Sequence, residues 1–114
     1  MNIFFWKKNK QIDAFAIILA DELYSHLQPQ VAIDFMKAAI EEKKQSGKAN
    51  KQNIRIYKIL EDAAYQIVVF KKKHSLGVYG KARLHLNFMQ RLNELGYPED
   101  ITKYLDEILL VRSP

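Results

Sequence analysis

NIRIYKILEDAAYQIVVFKKKH, residues 53–74, decides the fold class, because it holds the run that argues hardest for a strand. Ile67, Val68, Val69 and Phe70 are β-branched or aromatic and suit a pleated surface. The apolar residues Ile56, Ile59, Leu60, Ala63, Ile67 and Phe70 nevertheless recur at helical spacing, and the run continues that period without alternating. The spacing predicts a helix over 53–74, roughly 30 Å long at 1.5 Å per residue. Asn53 is placed to cap it, while Tyr57, Ala64 and Val68 widen the stripe to a second apolar face that calls for a central position or a subunit contact.

The same period extends in both directions. Upstream, QSGKANKQN at 45–53 carries no apolar residue larger than Ala and reads as an exposed loop, with Gly47 a plausible helix terminator. Before it, Ala32, Phe35, Met36, Ala39 and Ile40 stripe a helix over 29–45. Pro29 separates that helix from a first one over 10–27, striped by Ile12, Phe15, Ala16, Leu19, Leu23 and Leu27, since proline disfavours helical geometry in the preceding residue and suits a new first turn. Downstream, Gly77 and Gly80 interrupt the pattern before Leu84, Phe88, Leu92 and Leu95 resume it over 79–95. Gly96 fits a left-handed C-terminal cap. Pro98, Glu99 and Asp100 open a last helix over 98–112, striped by Ile101, Tyr104, Leu105, Ile108 and Leu109. With no sustained two-residue alternation and no internal repeat, the expectation is an all-α, single-domain bundle of about five amphipathic helices across residues 1–114.

Composition agrees with a folded domain: 114 residues, 48% hydrophobic and 27% charged. The net charge of +5 is unevenly spread. Residues 1–45 hold six Lys/Arg and six Asp/Glu, residues 46–92 hold ten and two, and residues 93–114 hold two and five. A basic middle and an acidic end can attract each other, within or between chains, or the middle can meet an anionic partner. The absence of cysteine excludes disulfides and thiolate chemistry and suits a reducing cytoplasm, the expected location.

The opening octapeptide, MNIFFWKK, places an apolar run ahead of lysines, the reverse of a secretory signal. Asn2 stands where myristoylation needs glycine, no prenylation box ends the chain, and no apolar run is long enough to span a bilayer. Residues 1–9 are therefore expected to form either an arm or an early extension of the first helix. If the helix starts early with Asn2 as its cap, Phe5 joins the stripe of Ile12, Ala16, Leu19 and Leu23, leaving Phe4 and Trp6 to either side. Phe4, Trp6, Lys7 and Lys8 are the candidate contacts to a partner or a membrane surface.

The strongest polar segment is KKKHSLGVYGKARLH at 71–85. Lys71, Lys72, Lys73, Lys81 and Arg83 are candidate anion or nucleic-acid contacts, with Tyr79 as a stacking face. The blander reading is that Lys71–His74 simply complement a helix C-terminus. GVYGKA at 77–82 has too few residues between its glycines for a phosphate-binding loop and has Ala82 where the motif needs Ser or Thr. His26, His74 and His85 lack acidic or histidine partners at i+3 or i+4, so no metal site is expected. Ser25 and His26 are adjacent and point about 100° apart on a helix, and the paired carboxylates fall on ordinary polar faces.

No enzymatic activity and no cofactor are expected. The leading expectation is a helical binding or adaptor module that acts through protein contacts, including self-association. One alternative is nucleic-acid binding through the basic 48–91 segment, with Arg83, His85, Asn87, Gln90 and Arg91 as base readers. Another is weak peripheral membrane contact through residues 1–8.

Overall fold

The described residues form five α-helices: α1 (Ile3–His26), α2 (Pro29–Glu42), α3 (Lys51–His74), α4 (Val78–Glu94) and α5 (Glu99–Asp106), the last running on into a π-helical turn (Glu107–Val111). They were located in a computed structural model that describes residues 3–42 and 51–111, with side chains for 7–38 and 53–110. The described residues contain no strand. The β-prone run of α3 is helical because its register carries it into the core. Ile67 is fully buried, and the Phe70 ring lies parallel to that of Phe15 on α1, centroids 4.0 Å apart.

Three boundaries differ from the sequence expectation, each for a local reason. The first helix begins at Ile3 and not near residue 10, so residues 3–9 are an extension of the helix and not an arm. Asn9, polar but 8% exposed, shows that this extension packs at least that far up. The long helix begins at Lys51, which places Asn53 inside its first turn and buried, not at the cap. Gly80 does not break α4. It sits buried in its first turns, where a Cβ would lie 3.4 Å from the Ile12 Cδ1, and so lets α4 approach α1 closely. Gly47, most of the 45–53 loop, the Asn2 cap and the Phe4, Phe5 and Trp6 side chains fall outside the described residues.

The dominant pairing is α1 with α4, and these two helices run parallel. Asp13 meets Arg83, Asp21 meets Arg91 and Leu27 meets Tyr97, each pair seventy residues apart. Helix α3 runs antiparallel to α1, with Phe15 against Phe70 and Leu23 near Ile59 and Ala63. Helix α5 runs back along α4, with Thr102 bonded to Asn93 and Asp106 against His85. The π-helical end of α5 lies beside α3, where Lys71 Nζ reaches the Leu110 carbonyl at 3.4 Å. Between these helices sit Ile12, Ala16, Ile67, Leu84, Phe88, Leu92, Leu105 and Leu109, all essentially without exposure.

The turns are closed as their residues dictate. Gly96 adopts φ +100°, with Gly96 N–H donating to Asn93 and Tyr97 N–H to Leu92, the Schellman arrangement its position predicts. Helix α3 ends in the same way without a glycine: Ser75 takes φ 48° and Leu76 N–H donates to the Lys71 carbonyl.

Candidate interaction surfaces

Three helix ends meet at one pole of the bundle. Because α1 and α4 are parallel and α3 is antiparallel to both, the start of α1, the end of α3 and the start of α4 coincide. That topology gathers Lys7, Lys8 and Lys10 with Lys71, Lys72, Lys73 and Lys81, residues far apart in the chain. Lys8 Nζ donates to the Ser75 carbonyl at 3.0 Å, tying the α1 lysines to the α3–α4 turn. Lys71 and Lys81 are close enough to feel each other. The Lys71 amine is held below its usual value, first by burial and then by the charge of Lys81.

The fifth candidate cation, Arg83, is engaged within the protein. Its Nε and Nη2 each donate to a different Asp13 oxygen at 2.7 Å, and its Nη1 donates to the Tyr79 hydroxyl at 3.1 Å. The hydrogen bond to Asp13 is the main reason its guanidinium is held even more firmly charged than usual. The other candidate base readers are also occupied. Asn87 donates to Asp13, Arg91 to Asp21, and His85 Nδ1 lies 2.9 Å from the Asp106 carboxylate. Only Gln90 of that set stands exposed on α4 without a bond described here. On α3, Arg55 and Lys58 lie more than three turns from Lys71–Lys73, so the basic residues of 48–91 divide between the two ends of that helix.

The second surface is the seam between α1 and α3, which the sequence did not single out. The two helices touch at Phe15–Phe70 and then leave a hollow of about 330 Å³ floored by Leu19, Leu23, Ile59 and Ala63. A second hollow of about 290 Å³ lies around Phe15, Val69 and Phe70, and the two share Tyr65 and Gln66. Along this seam Ile18, Tyr65 and Val69 are 59%, 70% and 45% exposed. Exposed Glu22 and Asp62 stand at one end of it and exposed Lys73 at the other. Lys7 shares the helical face of Ala14, Ile18 and Glu22 and so marks the Lys73 end on α1. The second apolar face read from the sequence of α3, Tyr57, Ala64 and Val68, is a different one: the seam is lined by Ile59, Ala63 and Phe70 of the main stripe together with Tyr65 and Val69.

Among the described residues no cluster of three or more His, Asp or Glu side chains could hold a metal, and no helix is long and apolar enough to cross a membrane. No protein-family model, curated protein or solved structure matches the chain.

Proposed function

We propose that this protein is a non-enzymatic helical binding module that acts through protein contacts at the α1–α3 seam, and that a second copy of the chain is a partner for that seam. The observation that carries the reading is the order of residues along it: lysines, then exposed apolar side chains, then carboxylates. Lys7 and Lys73 stand at one end, Ile18, Tyr65 and Val69 in the middle, and Glu22 and Asp62 at the other. A two-fold axis through the apolar middle brings the basic end of each copy over the acidic end of the other, which is the self-complementarity an isologous dimer requires. Large exposed aromatic and aliphatic side chains grouped on one face support the same reading, because they are typical of the buried centre of a protein interface.

Sedimentation velocity across micromolar concentrations tests it. The unmodified chain should shift from monomer to dimer. A Glu22→Lys/Asp62→Lys variant and a Lys7→Glu/Lys73→Glu variant should each remain monomeric, and an equimolar mixture of the two should regain the dimer. An unmodified chain that stays monomeric throughout, or a mixture that fails to associate, overturns the seam as a self-contact.

A further inference from the structure

The pole where α1, α3 and α4 meet carries more cations than its helices call for. Lys71, Lys72 and Lys73 close α3, an end at which the helix dipole favours positive charge. Lys81 has no such role. It stands in the first turn of α4, where the dipole disfavours a cation, and that turn holds no acid. Lys8 and Lys10 come from the N-terminal end of α1, whose first turn holds no acid either.

The fold gathers these groups over the start of α4. Residue n of α1 lies level with residue n + 70 of α4, so Lys10 is level with Gly80, one residue before Lys81. Lys8 crosses to the Ser75 carbonyl in the α3–α4 turn at 3.0 Å. Lys71, one turn earlier on α3, is depressed by burial and then by the charge of Lys81, which marks a local excess of positive charge. Lys72 is exposed and, at about 100° per residue, is turned away from Lys73 and the seam. Asp13 is occupied by Arg83 and Asn87, and Asp106 by His85, so among the described residues Glu107 is the exposed carboxylate at this end. In the same turn as Lys81, Tyr79 is 54% exposed.

We propose that this cationic pole binds single-stranded nucleic acid, with Lys10, Lys72 and Lys81 against phosphates and the Tyr79 ring stacked on a base. The side chains of α4 that would read a duplex are engaged elsewhere: Arg83, Asn87 and Arg91 bond to carboxylates of α1, and His85 lies against Asp106. The end of a bundle also lays no helix along a groove. What remains is attraction for phosphates beside an aromatic face, the combination that suits an unpaired strand, whose bases are free to stack. Lys7 and Lys73 take no part in this surface, so it succeeds or fails independently of the seam.

Anisotropy of a fluorescein-labelled, mixed-sequence DNA strand, alone and annealed in a duplex, is followed as the full chain is added at low and moderate salt. The single strand should bind more tightly than the duplex, and three phosphate contacts should give log K a slope of about −2 against log salt. Lys72→Glu/Lys81→Glu should lower affinity at least about tenfold and flatten the slope to about −0.7, while its sedimentation stays that of the unmodified chain. Tyr79→Leu should bind several-fold more weakly with the slope unchanged, as loss of a stacking contact requires. No binding to either form at low salt, tighter binding to the duplex, a slope that the lysine variant leaves unchanged, or binding to phosphatidylglycerol vesicles without binding to the strand would each overturn the proposal.

Discussion

Tyr97 donates its hydroxyl hydrogen to the backbone carbonyl of Leu27, bridging the α4–α5 turn to the α1–α2 break. Both residues are buried, at 3% and 1% exposure. The carbonyl needs this donor, because helix α1 ends there and the break at Pro29 leaves main-chain oxygens without helical partners. Burial, reinforced by the neighbouring Tyr24, pushes the Tyr97 phenol well above its ordinary value of 10. A group whose folded value is raised contributes stability that is complete below its unfolded value. That stability is lost above about pH 10, as the unfolded chain gives up the proton first, at up to about 1.4 kcal/mol per pH unit. Tyr97→Phe should therefore cost about 1–3 kcal/mol at neutral pH, from the unpaired Leu27 carbonyl. The gap between the two proteins in urea melts should narrow on going from pH 8 to pH 11, and a constant gap would show that the hydroxyl ionises equally in both states.

The Asp13–Arg83 pair sets the α1–α4 register with two 2.7 Å bonds, and Asn87 adds a third at 2.7 Å. Both side chains keep about a third of their surface exposed, 34% and 32%, so solvent screens the pair. A double-mutant cycle with Asp13→Ala and Arg83→Ala should give a coupling of about 0.5–1 kcal/mol, in the range of well-oriented surface pairs. The coupling should shrink in molar salt. Asp21 and Arg91, one register step further along, keep 44% and 34% of their surface and should couple less strongly in the same measurement.

The helices were legible because their stripes are simple. Ile12, Ala16, Leu19, Leu23 and Leu27, then Ile56, Leu60, Ala63 and Ile67, then Leu84, Phe88 and Leu92 are all buried as the period requires. Gly96 and Pro98 likewise announced the turn between α4 and α5. What periodicity could not convey was which helices run parallel. Asp13 and Asp21 are eight residues apart, as are Arg83 and Arg91, so matched spacings of opposite charge were a signal for pairing α1 with α4. Without that pairing the lysines at 7–10 and those at 71–81 looked like separate runs, although the topology brings them to one pole. The π-helical turn at Glu107–Val111 was equally hidden, since it arises where Leu109 and Leu110, consecutive in sequence, are both buried at 1% and 2% exposure.

His85 and Asp106 join α4 to α5 across a site that leaves Asp106 8% exposed. His85 Nδ1 lies 2.9 Å from each carboxylate oxygen. Removing the histidine strands a buried carboxylate, whereas removing the carboxylate leaves a histidine whose side chain is 27% exposed and can turn to water. His85→Ala should therefore destabilise the fold by about 1–3 kcal/mol, and Asp106→Leu by less. Combining His85→Leu with Asp106→Leu should recover part of the loss of His85→Ala. Equal losses from His85→Ala and Asp106→Leu in urea melts would show that burial of the carboxylate is not what the pair compensates.

Gly80 is where packing and helix propensity pull in opposite directions. A Cβ there would lie 3.2 Å from Leu76 Cδ2 and 3.4 Å from Ile12 Cδ1, both ends of flexible side chains that can shift by a few tenths of an ångström. Gly80→Ala gains up to about 1 kcal/mol of helix propensity, which offsets that small displacement, so its melting temperature should stay close to that of the unmodified chain. Gly80→Val has no such escape, because its added methyls meet the Ile12 side chain and push α1 from α4. The expected cost is about 1–3 kcal/mol, the usual range for overpacking. Since Lys8 reaches Ser75 across the same approach, the Val variant should also loosen the pole, read as faster amide exchange at Leu76 and Gly77 than in the Ala variant. If Val is tolerated as well as Ala, α1 and α4 are not in close approach at this point, and Gly80 owes its place to something other than packing.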